Sequence, residues 1–153
     1  MTIKQSSREI PTAEERAETA AQLRMAVTRA GRRLRQQAGD ELTPSRASVL
    51  STITCHGPLT TSELAEREQI SRPTISRLVA KLEAQGLVEF HPDPDDGRSF
   101  RIAATAKGAM LHDDQRDRKD SYLTRLLAEL DGEELEVLDR ATRLLVRLLA
   151  ENA

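Results

Sequence analysis

Apolar residues recur at helical spacing over most of this chain, and the interruptions fall where polar residues, glycine and proline cluster. From Ala13 to Gln37 every residue is helix-compatible, and Ala20, Leu23, Val27, Ala30 and Leu34 repeat at spacings of three and four, a heptad-type seam. Gly39 supplies a stop. The polar stretch ahead of it, ending at Pro11, reads as a frayed lead, so residues 1–12 are expected to be disordered. Thr43-Pro44 then pairs a capping hydroxyl with proline in a first turn, and Ala47, Val49, Leu50 and Ile53 carry a second helix to Gly57-Pro58.

Thr60-Thr61-Ser62-Glu63 has the form of a capping box, opening a short helix that runs to about Glu68. After a tight turn at Gln69-Ile70, Ser71 is the next cap. Ile75, Leu78, Val79 and Leu82 follow at i, i+3, i+4 and i+7, with Gly86 as terminator. Leu87–Phe90 and Phe100–Ala103 are β-compatible runs around His91–Ser99, whose two prolines and Asp-Gly predict a hairpin with a long exposed tip. Helical patterning resumes from Thr105 to Leu130, with Leu111, Tyr122, Leu123, Leu126 and Leu127 on recurring faces. Asp131-Gly132-Glu133-Glu134 is a second capping box, ahead of a final helix lined by Leu135, Leu138, Leu145, Leu148 and Leu149. The predicted order is α-α-α-α-β-β-α-α.

Two short capped helices joined by a tight turn and followed at once by a hairpin describe a helix-turn-helix with a wing. At about 100° per residue, Ile75, Leu78, Val79 and Leu82 point to one side of the second of these helices. Pro73, Thr74, Ser76, Arg77, Ala80 and Lys81 point to the other, a face with two cations and no acid. Hydroxyls near a helix start donate to phosphates or base edges, and Arg is the commonest bidentate reader of guanine in the major groove. Arg72 lies in the first turn, the part that enters a groove first. Read by itself, the same face is also that of an ordinary amphipathic helix kept solvated by its cations.

The hairpin tip is acid-rich, with Asp93, Asp95 and Asp96 leaving Arg98 and Arg101 as the cations of the wing. One reading has an Asp accept hydrogen bonds from Arg98 and hold its guanidinium for a narrow minor groove. The other has Asp96-Gly97 as turn chemistry and Arg98 simply solvated.

Composition changes this picture little. The 153 residues are 38% hydrophobic, 31% charged and 2% aromatic, and 23 Lys+Arg against 25 Asp+Glu give a net charge of -2. Whole-chain charge therefore neither selects nor excludes a polyanionic partner. The apolar runs are far shorter than the ~20 residues that span a bilayer, and Met1–Arg8 leads into no signal-like stretch, so a cytoplasmic protein without membrane contact is expected. No phosphate-cradling glycine loop, nucleophile elbow or Cys/His metal spacing occurs, so catalytic residues, metal ligands and cofactors are all read as none. Cys55 beside His56 admits an oxidant-sensing reading, but a lone Cys is more commonly a small buried hydrophobe.

The runs Leu59–Glu66, Ser71–Val79, Lys81–Val88, Asp93–Ser99 and Thr105–Gly108 together resemble the MarR family of bacterial and archaeal winged-helix regulators, over about Thr43 to Gly108. The flanking helices agree with that family in placement rather than in sequence. The resemblance implies a homodimer held by N- and C-terminal helices, a recognition helix in the major groove of double-stranded DNA, and a wing Asp-x-Arg, here Asp96 and Arg98, at the minor groove. It also implies a small-molecule or oxidant signal that releases DNA. Gly97 departs from the larger, often basic residue of many relatives.

The expected fold is mainly α with a small β-hairpin wing. Residues 13–38 are assigned to an N-terminal dimerisation helix, 43–105 to the DNA-binding winged helix-turn-helix, and 106–153 to C-terminal helices completing the dimerisation domain. The apolar stripes at the two chain ends support dimerisation, or else pack on each other within one subunit. The expected function is a sequence-specific repressor of a pseudo-palindromic operator, released by a small aromatic or amphipathic effector; the alternative is a winged-helix protein-interaction module without DNA. The expected DNA-binding residues are Ser71, Arg72, Pro73, Thr74, Ser76, Arg77, Lys81, Asp96 and Arg98. An effector is expected where the second helix and the helix after Lys107 meet the dimer helices, with Tyr122, Met25 and His56 as candidate lining residues.

Overall fold

The computed structural model of the protein describes residues 10–39 and 41–150, so most of the expected disordered lead lies outside the described residues. The elements are α1 (Ala13–Ala38), α2 (Pro44–His56), β1 (Leu59–Thr60), α3 (Thr61–Glu68), α4 (Arg72–Ala84), β2 (Val88–Pro92), β3 (Phe100–Ala104), α5 (Ala106–Leu127) and α6 (Gly132–Ala150).

Local chemistry accounts for most helix starts. Thr60 and Glu63 exchange the two bonds of a capping box, as do Asp131 and Glu134. A third box, Thr12 with Glu15, opens α1 and places Thr12 at the helix rather than in the lead. Thr43 and Ser71 stand at N-cap positions as expected, but neither hydroxyl bonds the helix backbone. Pro44 and Pro73 each remove one orphan donor from the first turn. Thr43 Oγ1 instead accepts from Arg46 Nε at 3.2 Å, and Ser71 Oγ pairs with Thr74 Oγ1 at 2.9 Å.

The expected hairpin is part of a three-stranded antiparallel sheet of order β1-β3-β2. Leu59 pairs with Ile102 and Thr60 with Arg101, so the wing is rooted at the start of α3. The core is built from Val49, Leu50 and Ile53 of α2, Leu64 of α3, Ile75, Val79 and Leu82 of α4, and Leu87, Val88 and Ile102, all buried. Each such side chain contributes roughly 1.5–3 kcal/mol on leaving water. At Gly108 a Cβ would lie 2.0 Å from the Leu87 carbonyl oxygen, so only glycine lets α5 approach the α4–β2 connection this closely.

Outside this core the chain is open. α1 packs along α5, and its one buried residue is Ala38. α6 has no buried residue and no extensive contact with another element. Leu23, Val27, Leu123, Leu126, Leu135, Leu138, Leu148 and Leu149 are all exposed. Among the described residues, no helix is long and apolar enough to cross a membrane.

Candidate nucleic-acid interface

The expected recognition helix is α4, held by core residues on one side and open on the other. Ile75, Val79 and Leu82 are buried and Leu78 is half-buried, whereas Arg72, Pro73, Ser76, Arg77, Ala80 and Lys81 are exposed, as helical periodicity dictates. Thr74 is half-buried, its hydroxyl engaged by Ser71. Arg77 Nε donates to the Pro73 carbonyl at 3.2 Å, which draws the guanidinium back along the first turn and leaves both Nη groups without a protein partner among the described residues. Arg72 and Lys81 have no hydrogen-bond or ion-pair partner among those residues either.

The angle between α3 and α4 is set by backbone. Gln69 takes the left-handed conformation, φ 53° and ψ 37°, with its N–H on the Ala65 and Glu66 carbonyls, and the Ile70 N–H reaches Ala65 O at 3.1 Å. At its other end α4 is clamped. Lys107 Nζ donates to Gln85 O at 2.8 Å, Thr105 Oγ1 to Gly86 O at 2.7 Å, and Arg46 Nη1 to Gln85 Oε1 at 3.0 Å. A cation on the last carbonyls complements the negative end of the helix dipole. These clamps join residues 39, 22 and 19 positions apart, so no local pattern announces them.

The wing departs from expectation in chemistry rather than in shape. Asp96 Oδ1 accepts from the main-chain N–H of Arg98 at 3.0 Å and not from its guanidinium, so it shapes the tip as an Asx-type turn. Arg98 itself is exposed and has no side-chain partner among the described residues. Asp93, expected at the acid-rich tip, is buried. Its carboxylate takes Arg101 Nε at 3.0 Å and the Asp95 N–H at 3.0 Å, while its own N–H closes onto Ser99 O at 2.9 Å. Arg101 also approaches Glu63 of the α3 capping box, at 3.9 Å. Bonds from the Thr60 N–H and hydroxyl, helped by Arg101, hold the Glu63 carboxyl below the usual carboxylate range. Two of the three tip acids thus serve the fold, and Arg101 is structural.

Two further expectations need correction. Cys55 is exposed near the end of α2 rather than buried, because the core-facing positions of that helix are Val49, Leu50 and Ile53. The lining of the cleft at the expected junction does not include Tyr122, Met25 or His56. The cleft there, about 590 Å³ between the end of α1, α2 and α5, is lined by Arg32, Arg35 and Lys119 together with Ser48, Ser51 and Thr52. Met25 and His56 lie exposed elsewhere, since α1 meets α2 and α5 near its C-terminal end.

Comparison with known proteins agrees with this geometry. The MarR family model matches residues 42–100. An uncharacterized HTH-type transcriptional regulator of Mycobacterium bovis is 32% identical over 137 residues, 89% of this chain and 96% of that protein. The HTH-type transcriptional repressor NicR of Pseudomonas putida is 36% identical over 60% of this chain and 58% of its own length. The crystal structure of a Pseudomonas aeruginosa protein assigned as a transcriptional regulator superposes with a TM-score of 0.80 at 34% identity, covering 91% of this chain and 98% of that one. An exposed, cation-bearing recognition helix, a wing rooted on the helix-turn-helix and near full-length similarity to such regulators place this chain in the MarR family of DNA-binding winged-helix transcriptional regulators, which are not enzymes.

Proposed function

We propose that the protein is a homodimeric, ligand-responsive repressor that reads a pseudo-palindromic operator in double-stranded DNA. The observation that carries this reading is the set of unpartnered cations, Lys81 and the Arg77 Nη groups on the open face of α4 and Arg72 in its first turn, with Arg98 at the wing tip. In the complex Thr74, Ser76, Arg77 and Lys81 face the major groove, and Ser71, Arg72 and Pro73 form the entering turn. Arg98 enters the minor groove on a loop shaped by Asp96. The relation to NicR, a repressor, favours repression.

Dimerisation follows from α6. At about 100° per residue its apolar positions, from Leu144 and Val137 round to Leu135 and Val146, cover an arc of roughly 200°. That is too wide for one neighbour, and no residue of it is buried within the chain, Leu145 alone among the arc's large side chains being half-buried. A second copy packing on α6, α1 and the end of α5 covers this surface, making residues 13–38 and 106–153 the dimerisation domain and 43–105 the reading head. Two heads then meet half-sites about one helical turn apart.

The effector cleft is the one between α1, α2 and α5. Three cations and three hydroxyls in its wall suit an amphipathic anion. Such a ligand binds the DNA-free spacing of the heads more tightly, and by linkage DNA weakens it by the same factor.

Footprinting on DNA upstream of the protein's own gene, with random duplex as competitor, tests the reading. Two protected half-sites related by a two-fold axis, lost at higher salt, are expected. Failure to retain any duplex at low salt would overturn it in favour of a protein-interaction module.

A further inference from the structure

The chain has three Phe, Tyr or Trp residues, and two of them, Phe90 and Phe100, stand exposed on the wing at 40% and 54%. The strand register puts them on one face. Phe90 lies opposite Ile102 and Phe100 opposite Pro92, so Val88, Phe90 and Pro92 share a side with Phe100, Ile102 and Ala104. Val88 and Ile102 on that side are buried in the core that holds Ile75, Val79 and Leu82 of α4. The aromatic face of the wing is therefore its recognition-helix side, and Phe90 and Phe100 continue it beyond the point where the core ends. The opposite side carries Glu89 with His91 Nε2 at 3.2 Å from its carboxylate, and Arg101 in its ion pair with Asp93.

We propose that Phe90 and Phe100 form an apolar wall against the deoxyriboses of the DNA strand that crosses between recognition helix and wing. The inference rests on the DNA-binding geometry proposed above. With α4 in the major groove and the wing tip in the adjacent minor groove, one sugar–phosphate strand passes between them. The aromatic pair faces that slot, and Phe100 follows Arg98 by two residues, so the patch is continuous with the cationic interface. Sugar C–H surface is the apolar part of the strand, and its phosphates go to the neighbouring cations. A second copy adding to the sheet fits less well. β2 is the longer of the two edge strands, but it is five residues long and ends in Pro92, which has no N–H to offer a ladder.

Salt dependence separates such a contact from a phosphate contact. Affinity for the duplex upstream of the protein's own gene is measured over a salt series for wild type, Phe90→Ala, Phe100→Ala, Phe100→Leu and Arg98→Ala. Removing the Phe100 ring is expected to weaken binding roughly tenfold at every salt concentration with the slope of log affinity against log salt unchanged, as loss of apolar burial requires. Arg98→Ala is expected to reduce that slope by about one, and Phe100→Leu to recover most of the loss. Incorporation of p-benzoylphenylalanine at position 100 is expected to crosslink to DNA on irradiation, a readout independent of how well the Ala variant folds. Wild-type affinity in Phe100→Ala without a DNA crosslink would overturn the proposal, as would a change in self-association with DNA binding intact, which assigns the patch to a second copy. Absence of duplex binding by wild type is a different result, which removes the proposed function itself.

Discussion

Asp93 and Arg101 form the ion pair on which the wing is anchored: Nε to Oδ2 is 3.0 Å, with the Asp93 side chain 6% exposed and that of Arg101 30%. Arg101 lies opposite Thr60 across the sheet, so the pair ties the tip loop to the start of α3. Arg101→Met leaves a buried carboxylate without its partner and is expected to cost roughly 1–3 kcal/mol, less than for a fully buried pair because Arg101 keeps water contact. Asp93→Asn with Arg101→Met should cost less than Arg101→Met alone. Urea unfolding of both variants decides it; a larger loss in the double variant would show that the pair is not the anchor.

Arg77→Ala is expected to weaken operator binding by about 1–3 kcal/mol and to relax selectivity at one base pair, because its free Nη groups suit a guanine edge. Lys81→Ala should weaken operator and random duplex alike. Anisotropy titrations on both duplexes separate these outcomes, and equal losses on the two for Arg77→Ala would deny it a base-reading role.

Asp96 acts on the main chain of Arg98, which makes the two possible replacements differ. Asp96→Asn keeps an oxygen that can accept the Arg98 N–H and should bind DNA nearly as wild type, whereas Asp96→Ala should lose affinity. Equal losses in both variants would point to the carboxylate charge instead.

Gly108→Ala places a methyl 2.0 Å from the Leu87 carbonyl oxygen and 2.9 Å from its carbon. Backbone atoms cannot rotate away, so the α5 start must shift, at about 1–3 kcal/mol or more. Thermal unfolding of this variant should show a clearly lowered midpoint; an unchanged midpoint would mean that α5 approaches the α4–β2 connection less closely.

Acid should loosen the start of α3. The folded-state pKa of Glu63 is depressed, chiefly by the Thr60 N–H, so its contribution to stability is present above the unfolded value of about 4.3 and is lost as pH falls through the folded value. Glu63→Gln should therefore be less stable than wild type near neutrality, with the difference shrinking below pH ~4. Urea midpoints at a series of pH values test this, and a difference independent of pH would remove the carboxylate from the account.

The sequence by itself determined the elements and the faces they present. Capping boxes such as Thr60 with Glu63 act within three residues, and the spacing of Ile75, Val79 and Leu82 decides which side of α4 is buried, so both are legible without a fold. The exposed cations of α4 follow from the same periodicity. Tertiary structure decided what depends on partners distant in the chain. The two-residue β1 is too short to carry an alternation and exists because β3 pairs with it. Asp93 read as a repelling acid at the tip until Arg101, eight positions on, neutralised it within the sheet. Cys55 is exposed because Val49, Leu50 and Ile53 occupy the core side of α2, and the cleft between α1, α2 and α5 takes its wall from the end of α1 rather than from Met25 because helix packing, not composition, sets where α1 meets α2 and α5. Local hydrogen bonds and helical period are encoded in neighbouring residues, whereas burial and charge pairing belong to the packed chain.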